Sequence, residues 1–312
     1  MAFEPRPLTP AQEEVVALLG SPRAERPEFD PALRTRLRDE LEDALADLAG
    51  RVEPLTVTKR HLAQVHGCEL RFAAEAVAPF VVSAPIARGA VAHKAIELSV
   101  NWRGEPSPGE LVDEALGRLT EDERWLSEWL RTASDAERAE LRGQANDLVV
   151  KFLDCFPPLR ARWRPATESP RISELVGGRV VLRGKVDLTL GMPEGRQAGR
   201  VIIDFKSGRS HPSHLEDLRF YALLETLQLG VPPRRLASYY LDQGRPVVED
   251  VSEALLEAAT ARTVDGVRKI AELLDGRAPQ PCASPRCRWC RPAADPSGDH
   301  ESGATDGLDD GW

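Results

Sequence analysis

The sequence has little of what would place a protein in a membrane or outside the cell. Its 312 residues include only five cysteines, too few for a disulfide scaffold, and no run of 18 apolar residues that could span a bilayer. The first ten residues hold no apolar segment of the kind found in secretory signals. We therefore expect a cytoplasmic protein that does not contact membranes.

The chain also lacks the G-x-x-x-x-G-K-[ST] loop of helicases, and lysine is scarce, with six among its 41 basic residues. Its formal charge is −9, which argues against nucleic acid at first sight. However, six of the acids lie within residues 295–312, so the rest is nearly neutral and could carry a local basic groove for phosphates. We expect residues 293–312 to form a disordered acidic tail.

Apolar spacing predicts helices in the first half of the chain and a mixture of strands and helices after about residue 163. The predicted helices cover residues 30–50, 58–76, 87–98, 213–230 and 251–274, with two or three more within 108–156. The predicted strands cover residues 179–191, 199–208 and 236–242. This order indicates an α/β fold with a helical N-terminal layer. Two independent domains divided near residue 160 are the alternative.

Two acids and a lysine lie near the ends of neighbouring predicted strands. Asp187 ends the segment G-K-V-D, and Asp204 and Lys206 belong to D-F-K. The period of two in a strand places Asp204 and Lys206 on one face. Paired carboxylates suit Mg²⁺ or Mn²⁺, and an ammonium nearby can stabilise charge that develops on a phosphoryl group. A D-x-K tripeptide alone is more often an exposed strand end with a salt bridge.

Further motifs accompany these residues in a fixed order. They are G-x-x-x-H-x-x-x-E (Gly89, His93, Glu97), the isolated acid Glu168, G-x-x-D (Gly184, Asp187) and a polar residue four positions before an aromatic (Asp217, Tyr221). Together with D-x-K-[ST]-G, the set resembles the RecB-type branch of the PD-(D/E)XK nuclease superfamily. That branch includes the nuclease domains of RecB and AddB and the CRISPR-associated four-cysteine nucleases.

The resemblance covers about residues 58–292 and implies a restriction-endonuclease-like core, a central mixed sheet flanked by helices. Residues 1–57 would be an N-terminal helical extension. The implied ligands of Mg²⁺ or Mn²⁺ are His93, Asp187, Asp204 and the carbonyl of Phe205. Lys206 would be the catalytic lysine and Glu97 would support the site.

The same resemblance places Tyr221 near the site and in contact with DNA. The family usually has Gln four residues before this Tyr, and here the residue is Asp217. A carboxylate cannot donate the amide hydrogen bond, so contact with the strand or substrate preference could differ.

Three of the five cysteines form C-x4-C-x2-C near the C-terminus, a strong sign of a metal site in a reducing compartment. They are Cys282, Cys287 and Cys290. The resemblance implies that Cys68 is the fourth ligand of a [4Fe–4S] cluster that joins the N-terminal helices to the C-terminal loop. The family usually has a third cysteine after the C-x2-C pair, and here Cys282 precedes it. Zinc and the absence of any metal remain alternatives.

Arginines adjoin tryptophans at two places, a combination that suits single-stranded nucleic acid. Arg160, Arg162 and Arg164 alternate around Trp163, and Arg286, Arg288 and Arg291 surround Trp289. On a strand the first three would share one face. A solvated charged surface is the alternative interpretation.

These observations predict a metal-dependent deoxyribonuclease, with single-strand exonuclease action in repair, recombination or defence. Unwinding would need a separate helicase, and a helicase or a CRISPR-type protein is the expected partner. The main alternative is a DNA-binding or assembly subunit that keeps the fold without cleavage, which the Asp217 substitution and the cysteine spacing favour. A nuclease acting on RNA is a third hypothesis.

Overall fold

The computed structural model describes residues 7–78, 81–284 and 287–290. The helices are α1 (Pro10–Leu19), α2 (Leu33–Ala44), α3 (Lys59–Gly67), α4 (Glu69–Val77), α5 (Ala84–Val100), α6 (Pro108–Asp122), α7 (Arg124–Thr132), α8 (Asp135–Cys155), α9 (Ser213–Leu229) and α10 (Glu253–Leu274). The strands are β1 (Leu55–Val57), β2 (Ala166–Leu175), β3 (Val180–Leu190), β4 (Val201–Lys206), β5 (Arg235–Tyr240) and β6 (Arg245–Asp250).

The six strands form one mixed sheet in the order β1-β3-β4-β5-β6, with β2 paired to β3 along its length. β4 and β5 are parallel and are joined by α9, whereas β3 and β4 are antiparallel. The expected α/β fold, a central mixed sheet flanked by helices, is therefore confirmed. Because β1 pairs with β3, the sheet crosses residue 160, and the alternative of two independent domains is wrong.

Successive side chains of the strands point to opposite faces of the sheet, and each face has its own apolar core. Ile202 points into the core formed with α2, α3, α9 and α10, and its neighbour Ile203 points into the core formed with α1, α5 and α8. A third core joins α5, α6, α7 and α8. The N-terminal helices pack on both faces of the sheet, α2 in the first core and α1 in the second.

Most predicted elements are confirmed, and the departures are local. Helix α2 buries Leu33, Leu37 and Leu41 at the predicted spacing. The sequence did not predict β1, β2 or β6. The segment 160–164 is not a strand, because residues Ala161–Trp163 form a 3₁₀ turn that Arg164 ends with a φ of +47°.

Two strands pair with different stretches of the same edge of β3 and leave a gap between them. The polar residues of the candidate site gather at this gap. Residues 180–182 of β3 pair with β1, and residues 188–190 pair with β4. Among the described residues, the stretch 183–187 has no strand partner on that edge. We call this opening the strand gap.

The expected acidic tail lies outside the described residues, and none of the described helices is long and apolar enough to cross a membrane.

Candidate active site and cysteine cluster

Asp204 lies beside the strand gap, between two lysine ammonium groups. Its carboxylate is 1% exposed, and Lys206 Nζ lies 2.7 Å from Oδ2 while Lys59 Nζ lies 3.0 Å from Oδ1. Burial alone would raise the pKa of Asp204, but the charges and hydrogen bonds of the two lysines hold it well below its ordinary value. The carboxylate is therefore ionised at neutral pH.

Lys59 was not among the residues singled out from the sequence. It is the first residue of α3 and directly follows the segment in which β1 pairs with β3. This position places the Lys59 side chain in the strand gap. The ammonium is buried and lies 5.1 Å from the centre of the Tyr221 ring. Burial would lower the pKa of Lys59, but Asp204 raises it well above its usual range. The scarcity of lysine was the one signal that pointed to it.

Asp187 lies across the strand gap and replaces a missing sheet partner. Its Oδ2 accepts a 2.7 Å hydrogen bond from the backbone N–H of Phe205, in the part of β4 beyond its pairing with β3. The same oxygen lies 3.5 Å from Nδ1 of His93 on α5. The His93 ring also packs edge-on against the Phe205 ring, with 5.9 Å between centroids. Three elements thus bring His93, Asp187 and Asp204 to one region.

Two further acids border this region. Glu168 on β2 adopts a φ of +50° and pairs with Lys185. Burial, followed by the charge of Asp187, raises the pKa of Glu168. Asp217 Oδ2 lies 3.5 Å from Lys206 Nζ, and burial raises the pKa of Asp217 against the influence of Lys206. The carboxylate at the position of the usual Gln therefore faces the predicted catalytic lysine.

Tyr221 lies near the site, as the resemblance implied, but its side chain is buried; the supporting role of Glu97 stays a prediction. Tyr221 is 1% exposed, and its ring fills the space above Gly184, where a Cβ would come within 2.5 Å of Cε1. Such a ring supports the strand gap from inside the core and offers no surface to DNA. Glu97 forms an ion pair of 2.9 Å with Lys94 on its own helix.

The four predicted cysteines come together, as expected. Their Sγ atoms all lie within 4.8 Å of one another, with 3.4 Å between Cys68 and Cys290 and 3.6 Å between Cys68 and Cys287. Burial would raise the pKa of Cys287, but the backbone of Trp289 and the neighbouring thiols lower it to about 7. Among the described residues, this is the only group of three or more potential metal ligands whose ligand atoms all lie within 4.8 Å of one another.

The predicted arginines divide between two places. The Arg288 guanidinium lies 5.0 Å from the Trp289 ring beside the cysteines, whereas Arg162 and Arg164 line a pocket far from them along the chain. Arg286 and Arg291 lie outside the described residues. The interpretation of one shared strand face for Arg160, Arg162 and Arg164 is wrong, because this segment is a 3₁₀ turn.

Comparison with known proteins agrees with this geometry. Residues 56–294, more than half of the 312-residue chain, match the family model of the PD-(D/E)XK nuclease superfamily. The chain therefore belongs to the PD-(D/E)XK nuclease superfamily. No curated protein matches the sequence.

Two solved structures are similar at low identity. One is a protein from Eubacterium rectale with a provisional name as an exonuclease; it is 12% identical, has a TM-score of 0.48, and the match covers 82% of this chain and 93% of that one. The other is SSO0001, 14% identical with a TM-score of 0.30 over 74% of this chain and 83% of that one. The family assignment rests on the superfamily match and not on these two structures.

Proposed function

We propose that the protein is a metal-dependent deoxyribonuclease that acts as an exonuclease on single-stranded ends. The observation that carries this proposal is the buried Asp204–Lys206 pair beside Asp187 and His93, within a chain of the PD-(D/E)XK superfamily. Repair, recombination or defence is the setting that we propose, with a helicase or CRISPR-type protein as partner. The nuclease domain would span residues 58–292.

The donor types at the site fit a hard divalent cation. Asp187, Asp204 and His93 would hold Mg²⁺ or Mn²⁺, with the Phe205 carbonyl as a further ligand. When bound, such an ion activates water and stabilises charge on a phosphate. Lys206 and Lys59 keep Asp204 ionised, so the carboxylate is ready for a cation at neutral pH. Lys206 is also placed to donate a proton or a hydrogen bond to a phosphate oxygen.

Lys59 also favours a second candidate function, a DNA-binding subunit without cleavage. In this arrangement each oxygen of Asp204 faces an ammonium, so a metal ion must compete with two positive charges for the same carboxylate. A site whose carboxylate is permanently neutralised in this way would bind DNA without cutting it. The presence of the complete His–Asp–Asp–Lys set favours the nuclease.

The experiment that separates the two is cleavage of end-labelled DNA by anaerobically purified protein. Single-stranded, duplex and flap DNA are incubated with Mn²⁺, Mg²⁺ or EDTA, with Asp204→Ala and the exposed Asp39→Ala compared in parallel. We expect cleavage of single strands with Mn²⁺ or Mg²⁺, lost in Asp204→Ala and retained in Asp39→Ala. Folded protein that binds DNA but cuts none of the substrates would reject the nuclease in favour of the binding subunit.

For the four cysteines we propose a metal centre that fixes α3. Cys68 directly follows this helix and Lys59 begins it, so a metal at one end would hold the other end in the strand gap. The family resemblance favours a [4Fe–4S] cluster. One zinc ion is the alternative, because three of the Sγ separations are 3.4–3.6 Å and all four Sγ atoms lie within 4.8 Å of one another, whereas Zn–S bonds of about 2.3 Å place tetrahedral sulfurs roughly 3.8 Å apart.

Metal analysis of the anaerobic protein tests this centre. Iron with acid-labile sulfide and a brown colour would establish the cluster, and colourless protein with one zinc per chain would establish the single ion. Cys68→Ser should lose the metal and lower the midpoint of thermal unfolding, whereas the distant Cys155→Ser should keep the metal. Protein that contains no stoichiometric metal would reject both versions.

A further inference from the structure

A pocket of about 540 Å³ opens at the other end of β4, within the size range of small-ligand sites. Val201, which begins the strand, lies in its wall, and the five-residue step to Lys206 corresponds to roughly 16 Å along a strand. We call it the arginine pocket. Four arginines line it, namely Arg26, Arg162, Arg164 and Arg234.

The arginine pocket holds more positive charge than its own carboxylates can balance. Glu194 is the one acid in its lining, and that carboxylate already forms a 2.5 Å ion pair with Arg23. Burial, together with the nearby charges of Arg235 and Arg26, lowers the pKa of Arg234 to about 10. An anion in the pocket would relieve this repulsion.

Three of its guanidinium groups each keep at least one N–H donor without a strong acceptor among the described residues. Arg234 is 7% exposed and donates one guanidinium hydrogen bond to the Leu19 carbonyl, but within the described part of the chain its Nε has no hydrogen-bond partner; the same holds for the buried Nε of Arg26. Arg164 donates to the thioether of Met192 at 2.9 Å, and sulfur is a weak acceptor. Phosphate oxygens are the acceptors that guanidinium groups match best.

The backbone of the pocket is held in a strained form, as is common where a ligand binds. Arg164 has a φ of +47°, which a non-glycine residue adopts only at a cost. Beside it, Gly191 allows two backbones to approach closely, since a Cβ there would lie 2.4 Å from the Gly199 carbonyl oxygen. The fold thus fixes the backbone of Arg164 at the rim of the pocket, where its side chain is exposed.

Trp163 supplies a flat apolar surface next to these cations. Its half-buried ring lies in the pocket lining, and the Arg162 guanidinium lies 5.8 Å from its centre. An aromatic ring beside arginines matches a ligand with both a base and a phosphate, because the base stacks while the phosphate pairs. An inorganic anion would leave the apolar part of the pocket unused.

We propose that the arginine pocket binds a nucleoside phosphate through Arg26, Arg164 and Arg234, with its base against Trp163. The ligand is either a free nucleotide or the phosphorylated end of a DNA strand. This inference goes beyond the proposed nuclease, and it does not depend on a metal in the strand gap.

The test is isothermal titration calorimetry in EDTA, which removes divalent ions from the strand gap. The probes are deoxyadenosine 5′-monophosphate, deoxyadenosine, pyrophosphate, and a short oligothymidylate with and without a 5′-phosphate. We expect wild type to bind the monophosphate at least roughly tenfold more tightly than deoxyadenosine or pyrophosphate. If only the 5′-phosphorylated oligothymidylate binds, the ligand is a strand end; binding of the monophosphate itself identifies a free nucleotide.

Variants locate the binding. Arg164→Gln, at an exposed residue, and Arg26→Gln, at a half-buried one, should each weaken binding by roughly tenfold or more while their circular dichroism stays native. Arg160→Gln is the matched control, since Arg160 also contacts Trp163 but does not line the pocket. Lys206→Ala should bind as wild type does. Absence of binding, equal affinity for deoxyadenosine or pyrophosphate, or loss in Lys206→Ala with retention in both arginine variants would overturn the proposal.

Discussion

Both ends of β4 gather positive side chains in partly buried surroundings, but their charges are balanced at only one end. In the strand gap, Lys59 and Lys206 share the carboxylate of Asp204 at 3.0 and 2.7 Å. In the arginine pocket, four guanidinium groups face a single acid that is engaged by another arginine. A cation whose counter-charge is built into the fold stabilises the fold, whereas a cation without one is available to a ligand.

The comparison predicts the largest effect for Asp204→Asn, because this change leaves two ammonium groups buried without their shared counter-charge. We expect the free energy of unfolding to fall by about 3–5 kcal/mol and cleavage to be lost. Urea unfolding followed by circular dichroism measures the first and the DNA assay the second. The exposed Asp39→Asn is the control, and a loss below about 1 kcal/mol in Asp204→Asn would show that the lysines do not depend on this carboxylate.

Lys59→Met should have a smaller effect, because Asp204 keeps Lys206 as its partner. We expect a loss of about 1–3 kcal/mol in the free energy of unfolding. Removal of one competing positive charge should also tighten Mn²⁺ binding, which calorimetry measures directly, with the exposed Lys151→Met as control. Unchanged or weaker Mn²⁺ binding would argue that Lys59 does not compete with the metal.

Acid should remove the stabilisation that Asp204 supplies. A carboxyl whose pKa is lower in the folded state contributes stability above its unfolded value of 3.8, and this contribution is lost as the pH falls through the folded pKa. The difference in free energy of unfolding between wild type and Asp204→Asn should therefore be constant above about pH 5 and shrink on further acidification. A difference that stays the same down to pH 3 would contradict the depressed pKa.

Arg164→Gln should have the smallest effect of the four. Because no carboxylate of the pocket balances Arg164, its loss relieves repulsion, and we expect the free energy of unfolding to change by no more than about 0.5 kcal/mol without ligand. Thermal unfolding of this variant and of Arg160→Gln measures the effect. A loss above about 1 kcal/mol would mean that Arg164 has a structural partner and that the two ends of β4 are alike.

Prediction from the sequence succeeded where the signal was local. The apolar period of α2 and the apolar segments of β3 and β4 correspond to the observed elements, because each pattern depends only on residues that are neighbours in the chain. It failed where pairing with distant segments creates the element. β1 is held by its partner β3. Its Thr56 and Val57 are β-branched, but three residues are too few for a recognisable strand pattern.

The residues of the candidate site also fall into two groups, those that local spacing predicted and those that only the fold positions. Period two was enough to place Lys206 beside Asp204, and the motif order indicated the PD-(D/E)XK superfamily, which the match confirms, while the RecB-type branch stays a prediction. Tyr221 was expected to contact DNA and is buried, because the bare Gly184 makes room for its ring. The roles of the individual residues in cleavage stay predictions.

The sequence by itself determined most of the helices, the main strands, the Asp204–Lys206 pair and the superfamily, since each depends on spacing along short stretches of chain. Only the tertiary structure decided that Lys59, 145 residues before Asp204, reaches the same carboxylate. The arginine pocket likewise brings together residues that are far apart in the chain, such as Arg26 near the N-terminus and Arg234 just before β5. The physical reason is that burial of the two cores fixes the register of the strands, and this register decides which distant groups meet. No local sequence pattern contains that information.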